Sequence, residues 1–373
     1  MTSPRFPPLR MRPLQTISPR TAAQLRGKRV LITGACGTVG QELIHQLLNR
    51  LDVATLTALD NNESALMFLE ESYGSHDNVR FVLCDIRDLG ALIRETRKVD
   101  ILFHVAAFKH VYLCERSPLE AIHTNIMGVQ NVIHAAIEND VGRLIFASSD
   151  KAVNPTNVMG TSKLMGERLI TAAALHPDLS TAHFTSTRFG NVLGSRGSVI
   201  PIFRNQIRQG GPVTLSDSRM TRFIMSLDQA VGLVIDSVAL AQPGDVLVTK
   251  MPAIRISDLA EVMIREFAPR CGRNAAAIKV VVRGQRPGEK LYEELLNEEE
   301  TRRSFELEQY FVVRPAMAKT GAEPILYEAE RPVPVAHAYN SANVPLLSQD
   351  ELANFLEANG LFDKRFGCAS ELD

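Results

Sequence analysis

The sequence predicts an α/β protein in which a doubly wound parallel sheet is joined to a smaller, loop-rich α/β lobe. From Lys28 onward, short β-branched and aliphatic runs alternate with longer segments of helical period, as in repeated βαβ units. The short runs are mostly apolar throughout, which is typical of strands that helices cover on both faces. Beyond Gly190 the alternation fails and glycine- and proline-rich stretches follow, which predicts a second lobe rich in loops.

Six strands are predicted in the first half of the chain. The chain as a whole is predicted to divide into four regions. The strands are Arg29–Thr33, Thr55–Leu59, Val79–Leu83, Ile101–Val105, Arg143–Ala147 and Ala182–Thr187. The regions are a basic N-terminal extension (1–24), a sheet domain (25–190, with returning segments near 220–250), a second lobe (mostly 191–330) and a tail (331–373). The tail is expected to end in an amphipathic helix capped by Ser348.

Composition and charge exclude several classes of protein. The chain has 373 residues, of which 45% are hydrophobic and 22% charged, so it is neither disordered nor fibrous. Its 41 basic and 42 acidic residues nearly balance, so no global field attracts nucleic acid or an anionic membrane. No apolar run reaches the roughly 18 residues of a membrane helix. The five cysteines lack the spacing of a metal site or a disulfide scaffold, which favours a reducing, cytoplasmic compartment.

The first predicted strand leads through a glycine-punctuated turn into a helix, which is typical of a Rossmann dinucleotide-binding domain. The turn contacts predicted here are Gly34, Gly37, Thr38, Val39 and Gly40. The glycines allow a tight turn and close approach of a pyrophosphate, while amides at the helix N-terminus face the anion. Asp60 stands 20 residues past Gly40, where its carboxylate can accept both ribose hydroxyls and repel a 2′-phosphate. The pattern favours NAD, with NADP as the alternative.

Two further strand ends supply candidate contacts to the same dinucleotide. Asp85 and Ile86 follow the third strand, where Asp85 either meets the adenine edge or caps the next helix. Ala106 and Ala107 follow the fourth strand and are small enough for the backbone to lie against the cofactor. These positions extend the predicted cofactor site along the edge of the sheet.

The segment after the fifth strand carries a resemblance to a known family. It reads Phe-Ala-Ser-Ser-Asp-Lys-Ala-Val-Asn-Pro-Thr-Asn-Val-Met-Gly-Thr-Ser-Lys over residues 146–163. It resembles the extended short-chain dehydrogenase/reductase superfamily and, within it, the UDP-N-acetylglucosamine 4,6-dehydratases of the polysaccharide-biosynthesis (CapD-like) branch. The resemblance covers roughly residues 25 to 360 and implies a homo-oligomeric enzyme that uses NAD.

The chain departs from the superfamily at one catalytic position. There a tyrosine and a lysine sit four residues apart on one helix face, and the lysine lowers the tyrosine pKa so that the phenolate accepts a proton. Here the pair is Met159 and Lys163, and methionine accepts no proton. Either catalysis is lost or another group is the base. The run Ser149-Asp150-Lys151 matches the acid and base positions of the 4,6-dehydratases, which favours another base.

The resemblance implies a role for each of these residues. Asp150 takes the O4 proton of the sugar during C4 oxidation and later gives it to the departing 6-hydroxyl. Ser149 hydrogen-bonds the developing carbonyl, and Lys163 holds the nicotinamide ribose. Lys151, if neutral in a desolvated pocket beside Lys163, abstracts the C5 proton. The product is a UDP-2-acetamido-4-keto-2,6-dideoxyhexose.

Further positions are expected to bind the nucleotide sugar. They are Lys109, His110, Asn191, Arg196, Arg222, Arg286 and Glu289. Guanidinium groups and an amide suit a diphosphate, so Asn191, Arg222 and Arg286 take that role, while the Glu289 carboxylate suits ribose hydroxyls. Arg196 either clamps a phosphate or reaches across a subunit interface. The expected substrate is UDP-N-acetylglucosamine or a related UDP-sugar.

Two other functions stay open on the sequence alone. A UDP-sugar epimerase of the same fold would need C4 oxidation but no base at C5, so Asp150 and Lys151 argue against simple 4-epimerisation. Met159 motivates a catalytically silent nucleotide-sugar-binding protein, against which the intact Lys151 and Lys163 argue.

Overall fold

The computed structural model describes residues 17–176, 182–195, 198–285, 288–317, 327 and 333–363. Its strands are β1 (Arg29–Thr33), β2 (Thr55–Asp60), β3 (Val79–Leu83), β4 (Ile101–His104), β5 (Arg143–Ser149), β6 (His183–Phe189), β7 (Asn191–Val192), β8 (Val213–Leu215), β9 (Thr221–Met225), β10 (Val246–Thr249), β11 (Ala253–Arg255), β12 (Val280–Val282), β13 (Glu294–Leu296), β14 (Ser304–Glu306), β15 (Tyr310–Val313), β16 (Val333–Pro334) and β17 (Tyr339–Asn340). The six strands predicted from the sequence are confirmed, each within two residues at either end.

Helices connect these strands and cover the sheet. They are α1 (Pro19–Leu25), α2 (Thr38–Arg50), α3 (Glu63–Ser72), α4 (Leu89–Glu95), α5 (Val111–Arg116), α6 (Pro118–Ile122), α7 (Gly128–Glu138), α8 (Val158–Ala174), α9 (Val199–Arg208), α10 (Leu227–Leu240), α11 (Ile256–Arg270), α12 (Glu298–Thr301) and α13 (Gln349–Ala358). A π-helical turn precedes α7, and a 3-10 turn, Asp150–Ala152, follows β5. Within the described ranges, no helix has the length and apolar character needed to cross a bilayer.

The main sheet has the strand order β16-β14-β15-β10-β6-β5-β4-β1-β2-β3. Seven neighbouring strands of this sheet are parallel, in the spatial order β3-β2-β1-β4-β5-β6-β10. Beyond β10, the strands β15, β14 and β16 add an antiparallel edge. The order reverses between β1 and β4, as in the Rossmann fold, and the predicted fold class is confirmed. β14 and β15, which the sequence analysis places in the second lobe, extend this sheet.

Alternate residues of the central strands pack into two hydrophobic layers, one on each face of the sheet. Val30 and Ile32 of β1 pack on the side of α2 and α10, while Leu31 faces the side of α7 and α8. Successive side chains of a strand point to opposite faces, so a wholly apolar strand needs helices on both sides. This explains why the strands lack polar alternation.

The second lobe has a hydrophobic core of its own. Helices α9, α11 and α13 surround it, and Phe203, Phe267 and Phe355 are among its buried side chains. The expected cap of the last helix is confirmed, because Ser348 and Glu351 form a capping box at the start of α13. After β9 the chain returns to the main sheet through α10 and β10, and it then re-enters this lobe with β11, which completes the sheet β11-β9-β7. The lobe therefore lies beside the carboxyl ends of the parallel strands.

Candidate active site

A cavity of about 720 Å³ lies at the carboxyl ends of the parallel strands. The turn between β1 and α2, the end of β5, one face of α8 and the strand β7 form its walls. Ligands of doubly wound sheets bind in the crevice outside this edge, near the point where the strand order reverses. The cavity is therefore the candidate active site.

The glycine turn has a shape that larger residues would destroy. Gly34 has φ +77°, and a Cβ there would stand 2.6 Å from the backbone nitrogen of Ala106. A Cβ at Gly40 would collide with the carbonyl oxygen of Gly34. The N-cap of α2 is Gly37, which supplies no side-chain acceptor, so first-turn amides keep their hydrogens for a ligand. The turn fits a dinucleotide pyrophosphate.

Asp60 ends β2 beside this turn. Its Oδ2 accepts a hydrogen bond from the backbone N–H of Cys36 at 2.9 Å, and its Oδ1 accepts one from Asn62 at 3.0 Å. A carboxylate oxygen has a further lone pair that a ribose hydroxyl can use. Asp60 thereby holds the turn while keeping acceptor capacity for a ligand.

The other predicted cofactor residues fall into two groups. Those lining the cavity are Gly34, Gly37, Thr38, Val39, Gly40, Ala107 and Lys163. Ala106 lies behind the lining with its backbone against the turn. Asp85 is paired with Arg87 at 2.6 Å, and the hydrogen bonds from Arg87 lower the pKa of Asp85 to about 2. Ile86 is buried in the core. Asp85 and Ile86 are thus engaged by the protein itself.

Met159 and Lys163 stand one turn apart on α8, and both line the cavity. The Lys163 Nζ donates to the carbonyl of Ala147 at 2.9 Å and lies over the ring of Phe146. Burial lowers the pKa of Lys163 to about 8, although the charge of Glu167 acts in the opposite direction and raises it. Met159 is 3% exposed and packs against buried residues of α5 and α6. Its thioether takes no proton, so any base must be another residue.

The end of β5 and the following 3-10 turn bring three predicted residues into contact. Ser149 Oγ donates to Asp150 Oδ1 at 2.6 Å. Lys151 Nζ donates to both carboxylate oxygens of Asp150, at 3.0 and 3.2 Å. Ser149 and Lys151 line the cavity, whereas Asp150 is 2% exposed behind them. A proton can therefore move between the cavity wall and a buried carboxylate.

The charge states of Asp150 and Lys151 follow from the groups around them. Burial alone would raise the pKa of Asp150, but the charge of Lys151 and hydrogen bonds from Ser149 and Lys151 hold it below its ordinary value. Burial disfavours the Lys151 ammonium, yet the charges of Asp150 and Glu293 raise its pKa above the ordinary value. Because two carboxylates flank its amine, Lys151 does not meet the condition of neutrality in the chain without substrate.

Glu293 is a buried residue of this site that the sequence analysis missed. Its Oε1 lies 3.7 Å from Lys151 Nζ and 3.2 Å from Arg222 Nε, and its Oε2 accepts a hydrogen bond from Asn191 Nδ2 at 2.7 Å. Burial and, after it, the charge of Asp150 raise the pKa of Glu293 to about 7. We call Asp150, Lys151, Glu293 and Arg222 the cavity cluster.

A weak signal for Glu293 was present in the sequence. The residue directly precedes β13 and stands two positions before Leu295, which is fully buried, so period-two alternation places both on one face. A carboxylate on an apolar strand face is rarely buried without a partner, so this position marks a polar cluster. The partner itself lies about 140 residues earlier in the chain and is not readable from spacing.

Two predicted substrate residues contact Glu293 in the structure. Asn191 lines the cavity, and its Oδ1 accepts a hydrogen bond from Lys151 Nζ at 3.4 Å. Besides Glu293, the Arg222 guanidinium contacts three backbone carbonyls and the sulfur of Met220. A diphosphate contact would require Arg222 to exchange these partners; in this arrangement it supports Glu293 instead.

The remaining predicted substrate residues are dispersed. Lys109 and His110 line the cavity, and burial, followed by the charge of Lys109, lowers the pKa of His110. Glu289 is partly buried in the loop before β13. Arg196 and Arg286 lie outside the described residues.

Several proteins are similar to this chain over most of its length. An uncharacterized membrane protein of Methanocaldococcus jannaschii is 47% identical over 78% of this chain and 86% of its own. The UDP-N-acetylglucosamine 4,6-dehydratase (inverting) of Campylobacter jejuni is 34% identical over 88% of this chain and 97% of its own. The UDP-glucose 4-epimerase of Rickettsia canadensis is also 34% identical, over 88% and 95%. Overall identity alone thus does not separate the two reactions.

A solved structure and a family model complete the comparison. The X-ray structure of Pen from Bacillus thuringiensis is 40% identical, with a TM-score of 0.81, and the match covers 89% of this chain and 98% of that one. The model of the polysaccharide biosynthesis protein family matches residues 30–315, which include the glycine turn and the cavity cluster. The chain therefore belongs to the polysaccharide biosynthesis protein family, a branch of the extended short-chain dehydrogenase/reductase superfamily.

Proposed function

We propose that this chain is a UDP-N-acetylglucosamine 4,6-dehydratase, an NAD-dependent lyase that forms a UDP-4-keto-6-deoxy-N-acetylhexosamine. One observation carries the proposal: Asp150 and Lys151 form a hydrogen-bonded acid–base pair, and Lys151 lines the cavity that the glycine turn also lines. Removal of a proton from C5 needs such a base, whereas oxidation and reduction at C4 alone do not. The relative from Campylobacter jejuni, named for this reaction, supports the proposal.

The cofactor that the residues fit best is NAD. Gly34, Gly37 and Gly40 would hold the pyrophosphate, Asp60 the adenosine ribose, and Lys163 the nicotinamide ribose. When bound, NAD would supply reversible hydride transfer, so that no external reductant is consumed. NADP stays an alternative, because the discrimination rests on the single carboxylate of Asp60.

The chain's own groups would move the protons. Asp150 is ionised and lies behind Ser149, so the O4 proton of the sugar can reach its carboxylate directly or through the Ser149 hydroxyl. The neutral Asp150 then donates this proton to the departing 6-hydroxyl. Lys151 faces the cavity, takes the C5 proton, and later gives C5 a proton from its solvent-exchangeable ammonium group. Met159 closes the cavity wall without exchanging protons.

A UDP-sugar 4-epimerase is the second candidate, since the relative from Rickettsia canadensis carries that name. The two reactions differ at C5 and C6, so one experiment separates them. Purified protein would be incubated with UDP-N-acetylglucosamine in deuterated water and analysed by mass spectrometry and proton NMR. We expect loss of one water and deuterium at C5, and the C5 coupling will report inversion or retention. A C4 epimer without water loss would establish the epimerase instead.

The same experiment bears on the remaining expectations. No reaction with added NAD or NADP would favour another UDP-sugar or the silent binding protein. Within the part of the chain that the structure describes, Cys84, Cys114 and Cys271 are thiols, which suits the reducing cytoplasm, where we place the reaction. The homo-oligomer stays a prediction that sedimentation of the full chain would test.

A further inference from the structure

Lys151 has to lose a proton before it can act as a base, and its surroundings determine where that proton goes. Its Nζ contacts Asp150 at 3.0 Å, Asn191 at 3.4 Å and Glu293 at 3.7 Å. The carboxylates of Asp150 and Glu293 keep the amine protonated in the chain without substrate. An ammonium group has no lone pair with which to attack a C–H bond.

Two of these three neighbours are unsuitable as the acceptor. Once Asp150 has taken the O4 proton of the sugar, its carboxyl group is neutral and is committed to the departing 6-hydroxyl. Asn191 has an amide oxygen, which is not a base near neutral pH. Glu293 is the neighbour that still carries a basic oxygen on the side of the amine, with its side chain 8% exposed.

We propose that Glu293 is a positioning residue that accepts the surplus proton of Lys151 and so converts the ammonium into the amine that attacks C5–H. The inference rests on the proposed 4,6-dehydratase function and adds a residue to that site. Glu293 does not line the cavity, so it acts on the substrate only through Lys151.

The protons balance in this scheme. The O4 proton moves to Asp150, and the Nζ proton of Lys151 moves to the Glu293 carboxylate. The Lys151 amine then takes the C5 proton, while Asp150 gives its proton to the 6-hydroxyl, which leaves as water. After hydride has returned to C6, Lys151 gives a proton to C5, and Glu293 restores the ammonium. Each protein group ends in its starting state.

The charges around Glu293 suit an acceptor that releases its proton again. Asp150 and Lys151 face it from the 3-10 turn, Asn191 from β7 and Arg222 from β9. Burial and Asp150 favour the protonated carboxyl, whereas Lys151, Arg222 and Asn191 favour the carboxylate. The opposing effects leave the pKa of Glu293 at about 7, near the working range of a proton carrier.

The first test separates the two half-steps of the reaction in Glu293→Gln. Oxidation at C4 is followed by the near-ultraviolet absorbance of reduced nicotinamide in a single turnover, and C5 exchange by deuterium incorporation. We expect C5 exchange to fall by about 10²- to 10⁴-fold at neutral pH while C4 oxidation stays within a few-fold. Glu294→Gln is the matched control, because the neighbouring carboxylate pairs with Lys290 instead. Equal losses in both half-steps, or unchanged C5 exchange, would overturn the proposal.

The pH profile distinguishes a proton acceptor from a merely structural residue. Glu293 has to be ionised to accept a proton, so the wild-type C5 step should rise with pH through about 7. This limb should vanish in Glu293→Gln and return in Glu293→Asp, which restores a carboxylate on a shorter side chain. Purely electrostatic support predicts the opposite, since loss of the Glu293 charge lowers the pKa of Lys151 and would leave more free amine.

A readout without substrate keeps this inference separate from the proposed function. The infrared carbonyl band of a protonated carboxyl group should disappear with a midpoint near pH 7 in wild type and in Glu294→Gln. Burial also raises the pKa of Asp245 to about 7, so part of the band belongs to that residue and should stay in every variant. The remaining component should be missing from the difference spectrum of Glu293→Gln alone. Identical difference spectra in wild type and Glu293→Gln would overturn the role of Glu293, whereas an inert wild type with the Glu293-dependent component present would count against the 4,6-dehydratase only.

Discussion

Two buried charge clusters lie close together in this chain and behave differently. The cavity cluster joins Asp150, Lys151, Glu293 and Arg222 beside the cavity. The second, the Arg188 cluster, consists of Glu167, Arg188 and Glu300 in the interior, with Arg188 1% exposed. Both combine carboxylates with cations, and the short segment from Glu293 to Glu300 supplies one carboxylate to each.

The difference lies in the cation at the centre. Arg188 uses all five of its N–H groups, in pairs with Glu167 and Glu300 and in one bond to the carbonyl of Leu295. Burial opposes the charge, but the two carboxylates raise the pKa of Arg188 far above its ordinary value. Lys151 has a single nitrogen, and its side chain is 30% exposed to the cavity. A guanidinium therefore fixes the fold, whereas an amine can exchange protons.

The largest expected effect is on catalysis, from Lys151→Ala. Turnover should fall by about 10²- to 10⁴-fold, because the amine is the proposed base at C5. Binding of UDP-N-acetylglucosamine, measured by calorimetry, should stay near the wild-type value. Unchanged turnover would remove Lys151 from the mechanism and with it the contrast between the two clusters.

Removing Arg188, the cation of the second cluster, should reduce the stability of the fold and not act on the reaction directly. Arg188→Met leaves two buried carboxylates without their cation and should lower the free energy of unfolding by about 3–5 kcal/mol, measured by urea denaturation. Arg219→Met breaks an exposed pair with Asp217 and serves as the control, with an unchanged midpoint expected. A loss no larger than the control's would contradict a structural role for the Arg188 cluster.

A smaller effect should appear in the pH dependence of stability. The pKa of Glu293 is about 7 in the folded chain against an ordinary 4.5, so the folded state binds more protons between these values. The free energy of unfolding then falls as the pH rises through this window, by an amount on the order of 3 kcal/mol. Glu293→Gln should reduce the slope, and the part that stays belongs to Asp245, whose pKa burial also raises to about 7.

Glu300→Gln provides the counterpart from the Arg188 cluster. Burial alone would raise the pKa of Glu300, but the charge of Arg188 holds it below its ordinary value. Its contribution to stability is therefore present above the ordinary pKa and is lost only in acid. The slope between pH 4.5 and 7 should survive in Glu300→Gln. Equal flattening by both variants would show that the two clusters titrate alike.

The smallest effect is expected from Met159→Leu. The exchange conserves volume in a buried site, so it should cost less than about 1.5 kcal/mol and change turnover little. Thermal melting and steady-state rates will test this. A large loss of turnover would show that the methionine sulfur contributes more than the filling of space.

Sequence reasoning succeeded where local pattern determines structure. The six parallel strands and the glycine turn follow from apolar runs, glycine spacing and the position of Asp60, all of which are local. Asp150 and Lys151 were found through resemblance, and the structure brings them into hydrogen-bonded contact.

Properties that depend on distant contacts were not readable. Glu293 reaches Lys151 only through the fold, and its charge adds to that of Asp150 in keeping the amine protonated. The engagement of Arg222 with Glu293 and backbone carbonyls likewise depends on the packing of β9 against the segment before β13. The residue types show that Lys151 and Arg222 are cations. Which group each cation pairs with, and therefore what chemistry it can do, depends on the three-dimensional fold.

The return of the chain from the second lobe to the main sheet limits how the protein can be divided. β10 pairs with β6, and α10 packs on α2 and against β5 and β6, yet both follow Gly190 in sequence. A fragment ending near residue 190 would expose the edge of β6 and the apolar face beneath α10, which favours aggregation. Exchanging the second lobe between relatives therefore requires several junctions, and no single cut yields two self-sufficient pieces.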